Sequence, residues 1–483
     1  MTVDSTDEEL RHSGYQPELK RTLGGFQVFA ISFAFISVLV AIFATYGAVL
    51  NYSGPVGIWL WIIAAVGQTL VALVVAQFAA RIALTGSSYQ WASRLANPKV
   101  GWFFGWLTFW FLAIGVVAMN SALASQAVMP LLGMAPNEGS ARLITLALML
   151  AEAALVIAST TLLGKVTSTT VGLELAILAV LIVGLGAVMV FSGSGIADNL
   201  VSQGVAAGAP NYFAVGGGLM AGMIMGGLTT LVGFDSAANL AEEAKDPFRT
   251  VPRAIVSSVV ASATIGLLFV IVLTLAIKDV PAVTSSGSPV AAIIRGQLGP
   301  IVERILLTGI AFAMFGAGMV MIAACSRQAF AMARDGRFPA HNLMRKVSPR
   351  TQTPVPATIL ILVIGVVLML ALPGDALLQL IVASTIFLPA LLYGGIVVLY
   401  LCVRKRLNTK EGAFSLGRFE VPVAYTALAW VAFSIFVLVS PSEARVPGLI
   451  ALGLIAVGGL YFVTLLVTNR AALETEPGDP GAF

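Results

Sequence analysis

Runs of about 20 apolar residues, each long enough to cross a hydrocarbon core about 30 Å thick, recur along this chain from Phe26 to Thr468. Twelve can be drawn, at roughly 26–50, 56–82, 101–129, 142–164, 166–192, 214–243, 252–277, 301–333, 355–372, 376–403, 423–440 and 446–468. They do not alternate at period two, so a transmembrane β-barrel is excluded. A helix is then the architecture that satisfies its own backbone N–H and C=O groups in lipid. Charged residues make up 10% of the chain, against about a quarter in soluble proteins. The expectation is an all-α polytopic membrane protein of 12 transmembrane helices.

Twelve spans put both termini on one side, and the distribution of basic residues chooses which. With the termini cytoplasmic, all but five of the 27 Lys and Arg face the cytoplasm, the exceptions being Arg142, Lys278, Arg295, Arg304 and Arg445. A formal charge of +4 arranged in this way attracts lipid headgroups and is no nucleic-acid footprint. The expected location is the plasma membrane. The first twenty residues are polar and acidic without an apolar h-region, so no cleavable signal peptide is expected.

Several function classes fall away on the same reading. The loops are short except 193–213 and 278–300, which leaves no room for an extramembrane catalytic domain. Cys325 and Cys402 lie near predicted cytoplasmic helix ends, so neither a structural disulfide nor a cysteine metal site is expected. His12 and His341 lie in polar segments, so no histidine relay crosses the membrane. Neither GxGxxG nor a P-loop is present, which argues against a membrane-embedded enzyme and an ATP-driven pump. No span repeats a pore-loop pattern, which disfavours a channel.

Ionisable residues inside membrane spans are rare and usually functional, and three carboxylates qualify: Glu152 in span 4, Glu174 in span 5 and Asp235 in span 6. A polar contact between helices is the alternative reading for each. Asp235 has telling neighbours. Gly218, Gly222 and Gly226 form a bare stripe suited to close helix packing. Thr229, Thr230 and Gly233 follow, where glycine weakens the helix and hydroxyls can take over freed backbone groups. A broken helix at mid-membrane is the sequence pointer to a transport site. In span 1, Ser32 and Ser37 interrupt an apolar segment, and Ile36-Ser37-Val38 lies near its middle. A continuous helix with two back-bonded serines is the alternative there. If both spans break, N–H groups of span 1 would suit an anion, while carbonyls of span 6 and Asp235 would suit an amine. Two opposed half-helix ends make a receptor for a zwitterion.

The chain resembles the amino acid–polyamine–organocation superfamily over nearly its whole length. Four stretches carry the resemblance: "GFDSAANLAEEAKDPFRTVPRAI" (233–255), "ALTGSSYQWASRLANPKVGWFFGW" (83–106), "CSRQAFAMARDGRFP" (325–339) and "SFAFISVLVAIFATYGAVLNYSGP" (32–55). The last looks most like the amino acid–choline branch, whose members carry 4-aminobutyrate, choline and related amines. The resemblance implies a LeuT-type fold of 5+5 inverted repeats plus two peripheral helices. The chain would divide into a cytoplasmic tail (1–25), a first repeat (26–192), an extracellular loop (193–213), a second repeat (214–403), two peripheral helices (423–468) and a C-terminal tail (469–483). Substrate would sit between the unwound middles of spans 1 and 6. Carried onto this chain, the substrate site is Ile36, Ser37 and Val38, with Thr229, Thr230, Leu231, Val232, Gly233, Phe234, Asp235 and, in span 3, Asn120.

The run Glu242, Glu243 and Lys245 then supplies candidate gate ion pairs, a solvated loop face being the alternative. Two departures from the family pattern matter. The span 1 break reads "FISVL" rather than glycine-rich, which favours a longer or differently shaped amine. Some proton-coupled members place a lysine in mid-span 5, whereas here Lys165 is at the edge and the mid-span group is Glu174. Glu174 is therefore the candidate carrier of a coupling proton, since low-dielectric surroundings favour the neutral form of a carboxyl. No cofactor is expected beyond a coupling proton or sodium ion. The expected function is secondary transport of a small amino acid or amine such as 4-aminobutyrate. The alternative is a choline or polyamine carrier of the same fold, for which Phe33, Phe35, Tyr46 and Phe234 could supply part of an aromatic box.

Overall fold

A computed structural model describes residues 18–135, 137–286, 288–407 and 414–476. His12, most of the polar N-terminal segment and the end of the C-terminal tail lie outside the described residues. Helices account for the architecture, and the one β-type contact among the described residues is an isolated parallel bridge between Leu23 and Ala244. Among the described residues ten helices are long and apolar enough to cross a membrane. The other two expected spans are a 17-residue helix, Val355–Ala371, and span 6, which is broken. The spans differ in how far they are enclosed by protein. The apolar window of span 1 is 78% buried, whereas that of span 12 is 17% buried. Span 1 is thus the axis of the bundle and span 12 lies at its edge.

Local chemistry fixes several boundaries that hydropathy alone misplaces. Span 4 ends at Ala158 and span 5 starts at Thr160, not near 164–166 as expected. The turn between them is Ser159, whose hydroxyl accepts from Thr161 N–H at 3.1 Å and caps the new helix. Span 7 begins at Pro247 after Asp246, which adopts a left-handed conformation with φ 46°. Proline suits a first helical position because its missing N–H would have had no partner there. The two long loops are structured: 3₁₀ turns at Ala197–Val201 and Gly204–Ala206 in the first, helices Val280–Thr284 and Pro289–Leu298 in the second.

The glycine stripe of span 6 packs as its spacing predicts. A Cβ at Gly218 would lie 2.2 Å from the Tyr52 carbonyl oxygen, and one at Gly222 would lie 2.5 Å from Ser53 Oγ. That close approach lets Ser53 Oγ donate to the Gly218 carbonyl at 2.6 Å. On the opposite, terminal side of the bundle, the segment before span 1 pairs with the end of span 6. Thr22 and Leu23 N–H donate to the Glu243 carbonyl at 3.0 Å, and Lys245 N–H donates to the Leu23 carbonyl at 2.8 Å. The described C-terminal segment docks at that same end, where Arg337 donates to the Ala472 and Thr475 carbonyls at 2.6 and 2.7 Å.

Candidate functional site

Span 1 breaks at Ser37. The helix Gly25–Ile36 stops, Ser37 takes φ 39°, ψ 69°, and a second helix runs Val38–Tyr52. A left-handed non-glycine residue costs about 1–2 kcal/mol, so something must hold it there. Glu174 does. Its Oε1 accepts from Leu39 N–H at 3.1 Å and from Ser37 Oγ at 3.3 Å, and its side chain is buried. A helix start leaves its first N–H groups unpaired and carries a partial positive charge. The carboxylate from span 5 satisfies both needs.

Span 6 breaks over a longer stretch. Its first half is Gly218–Met223 continuing as a π-helical turn through Leu228. Thr229 to Asp235 are irregular, and Gly233 has φ 76°. A Cβ at Gly233 would meet Phe35 Cδ1 at 1.8 Å, so glycine is required there by both backbone and neighbour. The second half, Ser236–Glu243, is a 3₁₀ rather than an α-helix and is kinked at Leu240. The two breaks are tied together: Ser32 Oγ donates to the Phe234 carbonyl at 2.8 Å and Ser236 Oγ to the Ile31 carbonyl at 3.3 Å.

A cavity of about 200 Å³ lies between the breaks. Span 1 contributes Phe35, Ile36, Val40, Ala41, Ala44 and Thr45 to its wall, and span 6 contributes Thr229, Thr230 and Val232. Span 3 supplies Phe111, Gly115, Ala118, Met119 and Ala122, while Met321 of span 8 and Thr385 of span 10 complete it. No ionisable side chain lines it, and its polar lining side chains are threonines.

The cavity divides the expected substrate residues into two sets. Ile36, Thr229, Thr230 and Val232 line it, whereas Ser37, Val38, Leu231, Gly233, Phe234, Asp235 and Asn120 do not. Asp235 belongs to a buried knot instead. Tyr393 OH donates to its Oδ1 at 2.9 Å while accepting from Gly233 N–H at 2.8 Å, and Ser87 Oγ lies 3.4 Å from Oδ2. Phe234 stacks on the Tyr393 ring with centroids 4.8 Å apart. The Asp235 oxygens, expected to face an amine, are engaged here by Tyr393 and Ser87, which ties the start of the second half-helix to span 10. Asn120 also stands off the cavity, its amide nitrogen donating to Glu152 at 2.8 Å and to the Val116 carbonyl. Of the proposed aromatic box, Phe35 reaches the cavity while Phe33, Tyr46 and Phe234 are packed elsewhere.

The gate candidates fare differently from one another. Glu243 meets Arg327 of span 8 at 2.7 Å with both side chains fully buried, and Glu242 meets Arg334 at 2.9 Å. Glu242 also accepts from Thr85 N–H at 3.0 Å. These pairs fasten the end of span 6 to span 8. Lys245 is exposed and acts through its backbone; it has no ion pair among the described residues. Sequence reasoning missed Tyr393, Ser87 and Arg327. The apolar surroundings of Tyr393 gave no signal, whereas Arg327, a charge near a span end, was a signal available to be read.

Comparison with known proteins completes the description. A family model described as amino acid permease matches residues 23–466. An amino-acid permease BAT1 homolog of Oryza sativa subsp. japonica is 27% identical, over 96% of this chain and 93% of that protein. A GABA-specific permease of Saccharomyces cerevisiae is 26% identical, covering 90% of this chain and 78% of that protein. A candidate polyamine transporter of Candida albicans is 24% identical, over 95% and 87% respectively.

Proposed function

The chain belongs to the amino acid permease family, and on that premise we propose that it is a secondary transporter of a small neutral amino acid or amino acid-like amine, such as 4-aminobutyrate. It works by alternating access in the plasma membrane with its termini cytoplasmic. The observation that carries the substrate class is the cavity lining. A space of about 200 Å³ walled by apolar groups and threonines, without an ionisable side chain, suits a compact zwitterion held by backbone dipoles. A polyamine would bring several positive charges to a wall that offers no carboxylate. Choline would find Phe35 and Phe111 rather than an enclosing aromatic box.

Coupling follows from Glu174. Its carboxylate occupies the N–H end of the second half of span 1, the same group that a substrate carboxylate would use. Two carboxylates on one helix end repel each other. A proton on Glu174 removes that repulsion and releases Leu39 N–H, so proton and substrate carboxylate bind together. The carrier is accordingly a proton symporter in this reading, with the Glu243–Arg327 and Glu242–Arg334 pairs opening when it faces inward.

Uptake of labelled amino acids, polyamines and choline into proteoliposomes, with proton and then sodium gradients imposed, tests the proposal. Small neutral amino acids or 4-aminobutyrate should accumulate with a proton gradient, and Glu174→Gln should keep exchange while losing accumulation. Uptake restricted to polyamines or choline would reject the substrate class. Accumulation by Glu174→Gln that still follows the proton gradient would reject the coupling.

A further inference from the structure

Glu152 of span 4 and Asn120 of span 3 form a buried pair that the transport reading leaves unused. Both side chains are fully buried. Asn120 Nδ2 donates to Glu152 Oε2 at 2.8 Å and to the Val116 carbonyl at 3.1 Å, which fixes which end of the amide is nitrogen. Asn120 Oδ1 and Glu152 Oε1 are each buried without a hydrogen-bond partner. Span 8 seals the carboxyl with bare backbone, since a Cβ at Gly318 would lie 2.2 Å from Oε1 and 2.6 Å from Oε2. The pair adjoins the cavity: Met119 precedes Asn120 and lines it, as does Met321, three residues after Gly318.

Among the described residues no cation answers this carboxyl. Spans 3, 5, 8 and 9 pack on span 4. Glu174 of span 5 is held at Leu39 and Ser37, and Arg327 and Arg334 of span 8 are paired with Glu243 and Glu242. Glu303 of span 8 faces Arg295, and Arg142 of span 4 is bonded to Glu138 and to the Met369 and Leu372 carbonyls. Lys99, Lys165 and Arg304 lie in the first two turns of spans 3, 5 and 8, while Cys325 reaches the Phe109 carbonyl and span 9 has no ionisable residue. A carboxylate buried without a counter-charge carries a heavy desolvation penalty, and an unmet acceptor adds to it.

We propose that Glu152 is a proton-binding site, whose acid form donates from Oε1 to Asn120 Oδ1 and closes a two-bond acid–amide ring. One proton taken up from water converts the carboxylate to the acid, and both orphaned acceptors gain a partner from it. The ring ties span 3 to span 4 beside the cavity. This site is separate from Glu174 and goes beyond the coupling reading.

Infrared spectra of the full-length protein in lipid, recorded in H₂O and D₂O, test it without any substrate. A protonated-carboxyl carbonyl band that shifts in D₂O should be present in the wild type and in Glu174→Gln. It should be lost in Glu152→Gln, which keeps the pair because glutamine forms the same ring with Asn120. Asn120→Leu should move the band by removing its partner. A band unchanged in Glu152→Gln, or unmoved in Asn120→Leu should the first variant not fold, overturns the proposal. So does an ionised-carboxylate band of Glu152 that responds to sodium. Because no uptake is measured, failure of the transport reading leaves this result standing, and the reverse holds too.

Discussion

Single residues bear the cost of both helix breaks, and they do so by different means. Gly233 makes its break possible by what it lacks. At φ 76° and with Phe35 where a Cβ would stand, it admits no side chain. Gly233→Ala should therefore lose about 1–2 kcal/mol to backbone conformation alone, with the displacement of Phe35 in addition. A lower melting temperature of the purified protein, together with loss of uptake, is the expected result. Ser37 makes its break by what it gains. No glycine or proline marks the position, and the left-handed serine is held by a carboxylate 137 residues away in the chain. Gly233 was legible in the sequence because its cause is local. Ser37 was legible only as an anomaly, since its cause lies in another span.

At the level of elements, the second half of span 6 is the part whose attachments would open in the proposed alternating-access cycle. It is held to span 8 by the buried Glu243–Arg327 pair and to span 10 through Asp235 and Tyr393. Removing one member of a buried ion pair leaves the other charge stranded, at about 3–5 kcal/mol, whereas replacing both by apolar groups can be neutral. Arg327→Met should thus destabilise the protein strongly, and Arg327→Met with Glu243→Met should recover much of that loss. Thermal unfolding of the wild type, both single variants and the double variant measures the cycle. Additive losses would show that the two side chains do not act as a pair. The carboxylates of "EEAKDP" were readable as gate candidates from the sequence. Their partners were not, because the pairing depends on how span 8 passes the end of span 6. The same limit explains Asp235: depth in the membrane was readable, but which way its oxygens are engaged depends on Tyr393 and Ser87.

Across the whole molecule, hydropathy was enough to find the membrane spans, because lipid imposes that constraint on every segment equally. The boundaries were less legible, since caps such as Ser159 and turn residues such as Asp246 end helices for reasons hydropathy does not register. What the assembled bundle adds is a cavity beside both breaks, bounded by five different spans. Gly115 of span 3 lines this space. On the same span, a Cβ at Gly101 would strike Ser93 Oγ at 1.8 Å and one at Gly105 would strike Met332 Sδ at 2.7 Å. At Gly115 it would meet only Met321 Sδ, at 3.8 Å, so packing does not require glycine there. A large side chain at Gly115 should therefore project into the cavity at little cost to the surrounding packing. The central claim, that a carrier binds its substrate in this space, is tested by counterflow of labelled substrate into preloaded proteoliposomes for the wild type and Gly115→Leu. The wild type should show transient accumulation driven by the internal unlabelled substrate. Gly115→Leu should reduce it at least about tenfold, the equivalent of 1.4 kcal/mol, with an unchanged melting temperature. Undiminished counterflow in Gly115→Leu would contradict the account.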